Sequence, residues 1–354
     1  RPVPTGDGQT LSVRAQSNGR YYQAYNLSFV EPWFGGKKPN SFSTSFYYTV
    51  TKSFRNTANM NKDDYFKVLG ASIGLGRRLK WPDDYFVLYT EIGLQKYFLN
   101  NWGSNFIIND GVSNIVDFHV SLSRSSQDQM IYPRRGSAFS MSLKLTPPYS
   151  SFRPKNFWKL SDAAKLAIRD DIIDQYPGLS ESDVDSYTAT EIESRENTEK
   201  YRLIEYHKWT FNAAWYTSLV GNLVLSARSE FGYLGFYNSN IGVSPFEKFD
   251  VGGSGMMGYN LYGTDVVALR GYADGTLTPQ TVVRRDAQNV RIDDGNLYVK
   301  YTLEMRYPFS LNPSATIFGL VFLEGGNAWQ KFNEFNPFMI KRAAGVGVRA
   351  YLPM

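Results

Sequence analysis

Hydrophobic and polar residues alternate with a period of two along most of this chain, in stretches of about ten residues separated by polar or glycine-rich turns. The stretches 137–146 and 205–219 show this pattern, and 41–51 shows it most fully. In 41–51 the two sets are Phe42, Thr44, Phe46, Tyr48 and Val50 against Ser41, Ser43, Ser45, Tyr47 and Thr49. Successive side chains of a strand point to opposite sides, so each stretch predicts a strand with one apolar and one polar face.

About twelve such strands are predicted, each of the length that crosses a membrane. They lie near residues 10–19, 20–33, 41–52, 65–79, 84–99, 116–127, 136–148, 205–219, 224–235, 296–309, 315–329 and 339–353. The chain is therefore predicted to be all-β.

The residue types on the two faces favour a membrane environment. The polar face is mostly Ser, Thr, Asn, Gly and Tyr, as in a water-filled lumen, whereas a soluble sandwich usually exposes Lys and Glu. The apolar face carries aromatics near the turns, as at interfacial girdles. These aromatics include Trp33, Trp81, Trp209 and Trp329. We therefore expect a transmembrane antiparallel β-barrel, with a soluble all-β fold as the alternative.

The connections between the predicted strands alternate in length. Short ones near 31–40, 80–83 and 307–314 are expected to be periplasmic turns, and long ones near 149–204 and 236–295 extracellular loops. The first long loop contains a predicted helix over 161–176, with Ser161 as its N-cap and Pro177-Gly178 after it. We interpret this helix as packing over the mouth of the barrel, followed by an acidic, polar segment.

Composition narrows the class of protein. The 354 residues show no compositional break, so a single barrel domain over 1–354 is expected. The 38 Lys and Arg against 33 Asp and Glu give a net charge of +5, too mild to imply a nucleic-acid partner. No apolar run reaches the length of a transmembrane helix. The start at Arg1 lacks a signal peptide, from which we expect a processed or trimmed fragment.

Catalytic chemistry finds no support in the sequence. There is no cysteine, and the two histidines, His119 and His207, both lie inside predicted strands. Neither has a neighbouring Ser/Asp arrangement or the spacing of metal ligands. We predict no enzymatic activity, no catalytic residues, no bound metal and no cofactor.

The loop segment 249–274 is the most distinctive stretch. It contains the pair Gly252-Gly253, followed by Leu269-Arg270-Gly271-Tyr272. Glycine permits positive φ and close backbone approach, so a structured loop is predicted. An arginine between apolar residues and a glycine suggests a confined guanidinium that needs carboxylate partners, although a surface loop with an incidental arginine is the alternative.

Two acids are candidates for those carboxylate partners. Glu304 and Glu324 are single carboxylates in two consecutive membrane strands, where a charge is unfavourable on the lipid face. Both are therefore expected to point inward. The simplest pairing predicts that Arg270 contacts Glu324 and Glu304 inside the lumen.

The segments FDVGG and LRGY, the strand containing Glu304, and the segment VFLEGGNAW together resemble the barrel domain of the BamA family of outer-membrane β-barrel assembly factors. The family barrel has sixteen strands after periplasmic POTRA domains. By this resemblance the chain runs from the third strand to the fourteenth, so two strands at each end and the POTRA domains are absent. The resemblance makes Arg270, Gly271, Tyr272, Glu324 and Glu304 a structural or gating lock, with conformational glycines before it. The family's acid opposite the loop arginine is commonly Asp, and in this sequence it is Glu324.

The resemblance implies a protein of the bacterial outer membrane that folds and inserts barrel proteins without ATP, through a lateral seam. Its implied partners are outer-membrane lipids, nascent barrel proteins, accessory lipoproteins and periplasmic chaperones. A two-partner-secretion transporter of the same superfamily and a passive porin are the alternatives. Upstream sequence would separate them, since about five POTRA domains favour assembly and about two favour secretion.

Overall fold

The computed structural model describes residues 8–19, 21–36, 40–52, 64–102, 106–254, 264–285, 288–312 and 314–352. Within these residues the chain is mostly β-strand, with two α-helices and two short 3₁₀ turns. In chain order the strands are β1 (Thr10–Asn18), β2 (Tyr22–Glu31), β3 (Asn40–Lys52), β4 (Tyr65–Arg78), β5 (Phe86–Asn100), β6 (Gly111–Ser125), β7 (Gly136–Leu145), β8 (His207–Ser218), β9 (Val224–Gly235), β10 (Lys248–Val251), β11 (Thr264–Val267), β12 (Gln280–Arg285), β13 (Gln288–Asp293), β14 (Leu297–Asn312), β15 (Ala315–Trp329) and β16 (Lys341–Tyr351).

Twelve of these strands form one antiparallel sheet, which is the wall of a membrane β-barrel. Each strand pairs with the next along the chain, except that β9 pairs with β14 because β10 to β13 lie in the loop between them. The twelve strands predicted from the alternation are thereby confirmed. Within the described residues β1 pairs only with β2 and β16 only with β15, so the sheet is not closed.

The turn predicted over 307–314 begins later than expected, because its first residues belong to a strand. Strand β14 continues to Asn312, and its register with β15 shifts between Pro308 and Ser310. A bulge at this place accommodates the proline, which has no N–H to donate to the ladder. The proline therefore marks an irregularity within the strand and not its end.

The two faces of the wall have different surroundings. Phe46, Met141 and Trp215 lie on the face predicted to be apolar, and they are exposed on the outside of the sheet. On the inner side, Tyr97 of β5 stacks on Phe246 of the long loop at 4.2 Å between ring centroids. The loop 236–295 therefore packs against the inner wall and contributes five buried residues to one large apolar cluster there, namely Ile241, Phe246, Phe249, Val251 and Val267.

The other long loop contains two helices, where one was predicted. Helix α1 (Asp162–Gln175) begins after Ser161 as expected, and α2 (Glu181–Lys200) occupies the segment interpreted as merely acidic and polar. Ser180 caps α2 by accepting a hydrogen bond from the backbone N–H of Asp183 at 3.2 Å. Few residues of this helix are buried, and its sequence has no apolar stripe. Hydrophobic periodicity therefore could not predict it.

The helical hairpin stands on the end of the wall from which the long loops emerge, here called the loop end. Ile168 and Ile172 of α1 pack on Val184 of α2. At the base of α2, Thr198 donates a hydrogen bond to the carbonyl of Asp110, just before β6. None of the helices in the described part of the chain is long and apolar enough to cross a membrane.

Ser140 and Met141, neighbours on β7, provide a direct test of the two faces. We expect Ser140→Cys to react with a membrane-impermeant maleimide, because this position faces the lumen. Met141→Cys should stay unlabelled in the intact membrane, because that side chain faces lipid. Labelling of Met141→Cys with protection of Ser140→Cys would show that the faces are reversed.

Candidate functional site

Two glycines shape the loop between β9 and β14. Gly252 has a φ of 137° and Gly253 a φ of 77°, in the region that favours glycine. A Cβ on Gly252 would lie 2.5 Å from the carbonyl oxygen of Ala273, and the N–H of Gly253 donates to the carbonyl of Tyr272 at 3.0 Å. Only glycine permits this approach of the two chain segments, which positions Arg270 beside the wall.

The Arg270 side chain reaches both acids suggested by the sequence. Its Nη2 donates to Oε1 of Glu324 at 2.6 Å and to Oε1 of Glu304 at 2.7 Å, and its backbone N–H donates to Oε2 of Glu324 at 2.9 Å. The guanidinium also lies 3.7 Å from the ring centroid of Phe322. Thr302 donates a further hydrogen bond to Glu324 at 3.2 Å. The structure thus brings the predicted residues together, while their role as a lock stays a prediction.

Glu304 accepts hydrogen bonds from three guanidinium groups. Besides Arg270, it receives the Nε and Nη2 of Arg306 at 2.8 and 2.5 Å, and the Nη2 of Arg349 at 3.1 Å. The side chains of Glu304 and Arg306 are each only 2% exposed. A carboxylate this deeply buried requires such pairing. The cluster connects the loop, β14 and β16 through one residue.

The two residues after Arg270 extend the contact to β16. Gly271 has a φ of 86°, and a Cβ there would lie 3.1 Å from the Cβ of Ala343. The hydroxyl of Tyr272 donates to the carbonyl oxygen of Arg342 at 2.9 Å. The predicted turn and tyrosine therefore hold the loop tip on the strand next to the one that carries Glu324.

A second charged cluster fixes the loop to other strands of the wall. Glu247 is 5% exposed and accepts hydrogen bonds from Lys208 at 2.6 Å and from Lys144 and Tyr206 at 3.1 Å. Lys208 also pairs with Asp265 of the loop at 2.9 Å. These contacts bind the beginning of the loop to β7 and β8.

Electrostatics in this second cluster strongly favour the ionised carboxylate. Burial alone raises the pKa of Glu247, but the neighbouring Lys208 and Lys144 ammonium groups outweigh it and lower the pKa from 4.5 to about 2. The carboxylate therefore stays charged through the physiological range, and both lysines keep their counter-ion.

A third polar cluster lies at the loop end. Lys248 donates to the carboxylate of Asp294 and to the side-chain oxygen of Asn296. Gln330 and Thr281 donate to Oδ2 of Asp294 at 2.6 and 2.7 Å. The start and the end of the loop are thus joined to each other and to the residue that follows β15.

Sequence reasoning identified the loop arginine and its two acids but missed most of the other charges. The clearest available signal was Arg306, two residues from Glu304 and hence on the same face of β14. Lys144 and Lys208 also occupied predicted inner positions. Nothing local indicated Glu247 or Arg349, because their partners lie tens of residues away.

Both histidines contact aromatic side chains of the wall. His207 accepts a hydrogen bond from Nε1 of Trp209 at 3.1 Å, and His119 makes an edge contact with Tyr89 at 6.2 Å. Among the described residues no three His, Asp or Glu side chains are grouped so that they could hold a metal ion.

These features define a class of protein, a membrane β-barrel with a loop fixed inside it by buried ion pairs. The family model of the Omp85 superfamily domain matches residues 5–169 and 196–354. The chain belongs to the Omp85 superfamily. The unmatched residues between these ranges fall in the helical hairpin. No curated protein matches the sequence.

A solved structure shows the same fold. The crystal structure of BamA from Haemophilus ducreyi lacking POTRA domains 1-3 is similar, with a TM-score of 0.61 and 18% identity over 96% of this chain and 58% of that chain. CdiB from Escherichia coli has a TM-score of 0.45 and 11% identity, over 94% of this chain and 47% of that one. The chain therefore spans about half the length of these structures.

The first cluster predicts an order of mutational effects. Glu304→Gln should destabilise the barrel by about 3–5 kcal/mol, because it leaves Arg306 buried without its counter-ion. Arg270→Ala should cost less, since Glu304 keeps two arginines and Glu324, which loses its guanidinium, keeps the hydrogen bond from Thr302. The measurement is the temperature at which the folded, heat-modifiable band on a gel is lost. The double variant Glu304→Gln/Arg306→Gln should recover part of the loss, and a double variant weaker than Glu304→Gln alone would contradict the pairing.

The second cluster predicts a pH dependence. Because the folded-state pKa of Glu247 lies below its ordinary value of 4.5, the ionised group stabilises the folded protein above that pH. This stabilisation should disappear as the pH falls toward 2. We expect the unfolding temperature to drop across this window, and to drop less in Glu247→Gln, which is already weaker at pH 7. Equal pH profiles for the two proteins would argue against the assignment.

Proposed function

We propose that residues 1–354 are one partial barrel domain of the bacterial outer membrane, with the loops 149–204 and 236–295 at the cell surface. The apolar outer face of the wall supports the membrane location. Membership of the Omp85 superfamily supports the outer membrane in particular.

In this proposal the protein is an assembly factor that folds and inserts β-barrel proteins without ATP, through a lateral seam. The observation that carries it is the loop fixed within an Omp85 barrel by the buried pairs of Arg270 with Glu304 and Glu324. A lumen occupied in this way is unsuited to passive diffusion, and this disfavours a porin. The folding and insertion of substrates then depend on the wall, where an incoming strand can pair with an exposed strand edge.

The residues of the first cluster act as a structural lock and not as catalysts. Arg270, Glu304 and Glu324 hold the loop to the inner face of β14 and β15, while Gly271 and Tyr272 extend the hold to β16. The glycines at 252 and 253 provide the backbone conformation that delivers the arginine. A fixed loop keeps this sector of the wall in register while strands elsewhere rearrange.

Four kinds of partner belong to this function. Outer-membrane lipids surround the wall, and nascent barrel proteins are the substrates. Accessory lipoproteins and periplasmic chaperones are expected to deliver those substrates, as the resemblance to the BamA family implies. No nucleic acid is expected.

Reconstitution of the full-length protein into liposomes tests the function. A urea-denatured outer-membrane barrel protein is added without ATP, and its folded fraction is followed by heat-modifiable gel mobility. We expect faster folding than in empty liposomes, and a loss of about tenfold or more in rate for Arg270→Ala, because the loop loses its principal contact with β15.

The matched control is Arg195→Ala, which removes an exposed ion pair with Glu191 in α2. Such a pair contributes little to stability, so this variant should fold substrate like the parent protein. No acceleration by the parent protein, together with secretion of a partner protein in its presence, would favour the transporter instead.

A further inference from the structure

The segment between β15 and β16 packs against the outside of the wall at the loop end. The ring of Phe335 lies 6.1 Å from that of Phe231, and the ring of Phe332 lies 5.4 Å from that of Tyr233, both on β9. The side-chain amide of Asn327 donates to the carbonyl of Met339 and holds the returning chain. We call residues 330–340 the outer flap.

The outer flap covers only the first part of the outer face of β14. Leu297 and Val299 are 0% and 3% exposed, whereas Tyr301 and Leu303, next on the same face, are 39% and 41% exposed. The flap therefore ends at a definite level, and the wall below it is open to the surrounding lipid.

A groove begins where the flap ends. It has a volume of about 610 Å³, within the range of sites that hold small ligands. Three small residues, Ala227, Gly325 and Ala344, form its floor on β9, β15 and β16. Larger side chains border it, namely Tyr301, Leu303 and Ile340. Its floor belongs to the outer face, because Gly325 and Ala227 pair in register with Tyr301 and Leu303.

The charges around the groove are mostly positive. Residues 330–342 contain Lys331, Lys341 and Arg342 against the single acid Glu334. All three cations are exposed, and none forms an ion pair with a described residue. Arg342 itself lines the groove. An unpaired guanidinium at the upper edge of an apolar groove can receive an anionic group.

The outer flap also exposes large apolar side chains. Phe332, Phe338 and Met339 are 61%, 85% and 67% exposed, although the partly buried Phe335 of the flap packs on the buried Trp329. Exposed aromatics beside cations are typical of a membrane–water interface, where they lie at headgroup level. The flap therefore lies at the boundary between hydrocarbon and water.

We propose that the groove and the outer flap bind a phosphorylated glycolipid of the outer leaflet. One acyl chain lies along the floor over Gly325 and Ala344, a headgroup phosphate meets Arg342, and Lys331 and Lys341 attract a second phosphate. The occupant is a lipid because the groove opens on the hydrocarbon-facing wall. The outer leaflet follows from the proposed orientation of the loop end. This site is independent of the assembly activity.

Native mass spectrometry of the full-length protein in nanodiscs tests the proposal. The probe is diphosphoryl lipid A, compared with dephosphorylated lipid A and with phosphatidylglycerol. We expect preferential binding of the diphosphoryl form, reduced about tenfold in Arg342→Glu by the reversed charge. Ala344→Trp should abolish binding by filling the groove.

Each variant has a matched control on the outer face. Lys96→Glu makes the same charge change near the loop end of β5, where the ammonium lies over the ring of Phe98. Val346→Trp adds the same ring to β16 two residues below Ala344, at a position that is 79% exposed. Both controls should bind lipid A like the parent protein, and heat-modifiable mobility verifies that all four variants are folded.

Four results would overturn the proposal. Equal binding of diphosphoryl and dephosphorylated lipid A would remove the role of the cations, and equal binding of phosphatidylglycerol would contradict the glycolipid. Loss of binding in the controls as large as in Arg342→Glu and Ala344→Trp would show that the groove is not the site. Failure of an impermeant reagent to label Phe338→Cys on intact cells would exclude the outer leaflet, whatever the outcome of the folding assay.

Discussion

A carboxylate removed from water must be matched by cations, and Glu304 is matched by three. Arg306 approaches it along its own strand, Arg349 from β16 and Arg270 from the loop. Glu304 on β14 thus connects the loop and β16, which are far apart in the sequence. Uncompensated, each of these groups would be unfavourable in the interior, so the loop and the wall each depend on the other for their charge balance.

The other charged clusters also hold the loop to the wall, at other strands. Glu247 engages β7 and β8, Asp294 joins the loop to the end of β15, and Arg270 reaches β14, β15 and β16 through its partners and neighbours. Phe246 adds aromatic contacts with Phe66 of β4 and Tyr97 of β5. A loop held at several positions restrains the curvature of the sheet, because a change in that curvature would have to separate buried ion pairs or stacked rings.

The sequence predicted the wall more completely than its contents, for physical reasons. Alternation with period two is a local consequence of strand geometry, so all twelve strands could be located. Arg270 and its two acids were accessible because a charge in an uncharged strand demands a partner. Helix α2 was missed because only three of its residues are buried and only one of them, Val184, is apolar. Glu247 was missed because the lysines that stabilise it are brought near only by the fold.

The same periodicity explains how one short segment contributes to two sites. Glu324 and Gly325 are consecutive on β15, so one side chain points into the lumen and the other position faces outward. On β16, Ala343 lies beneath Gly271 of the loop, while Ala344 forms the floor of the outer groove. A shift of β15 along β16 by one residue would exchange the faces, exposing a carboxylate to lipid and burying a groove residue. Two constraints therefore fix the register of these two strands, namely the ion pairs inside the lumen and the small side chains on the outer face.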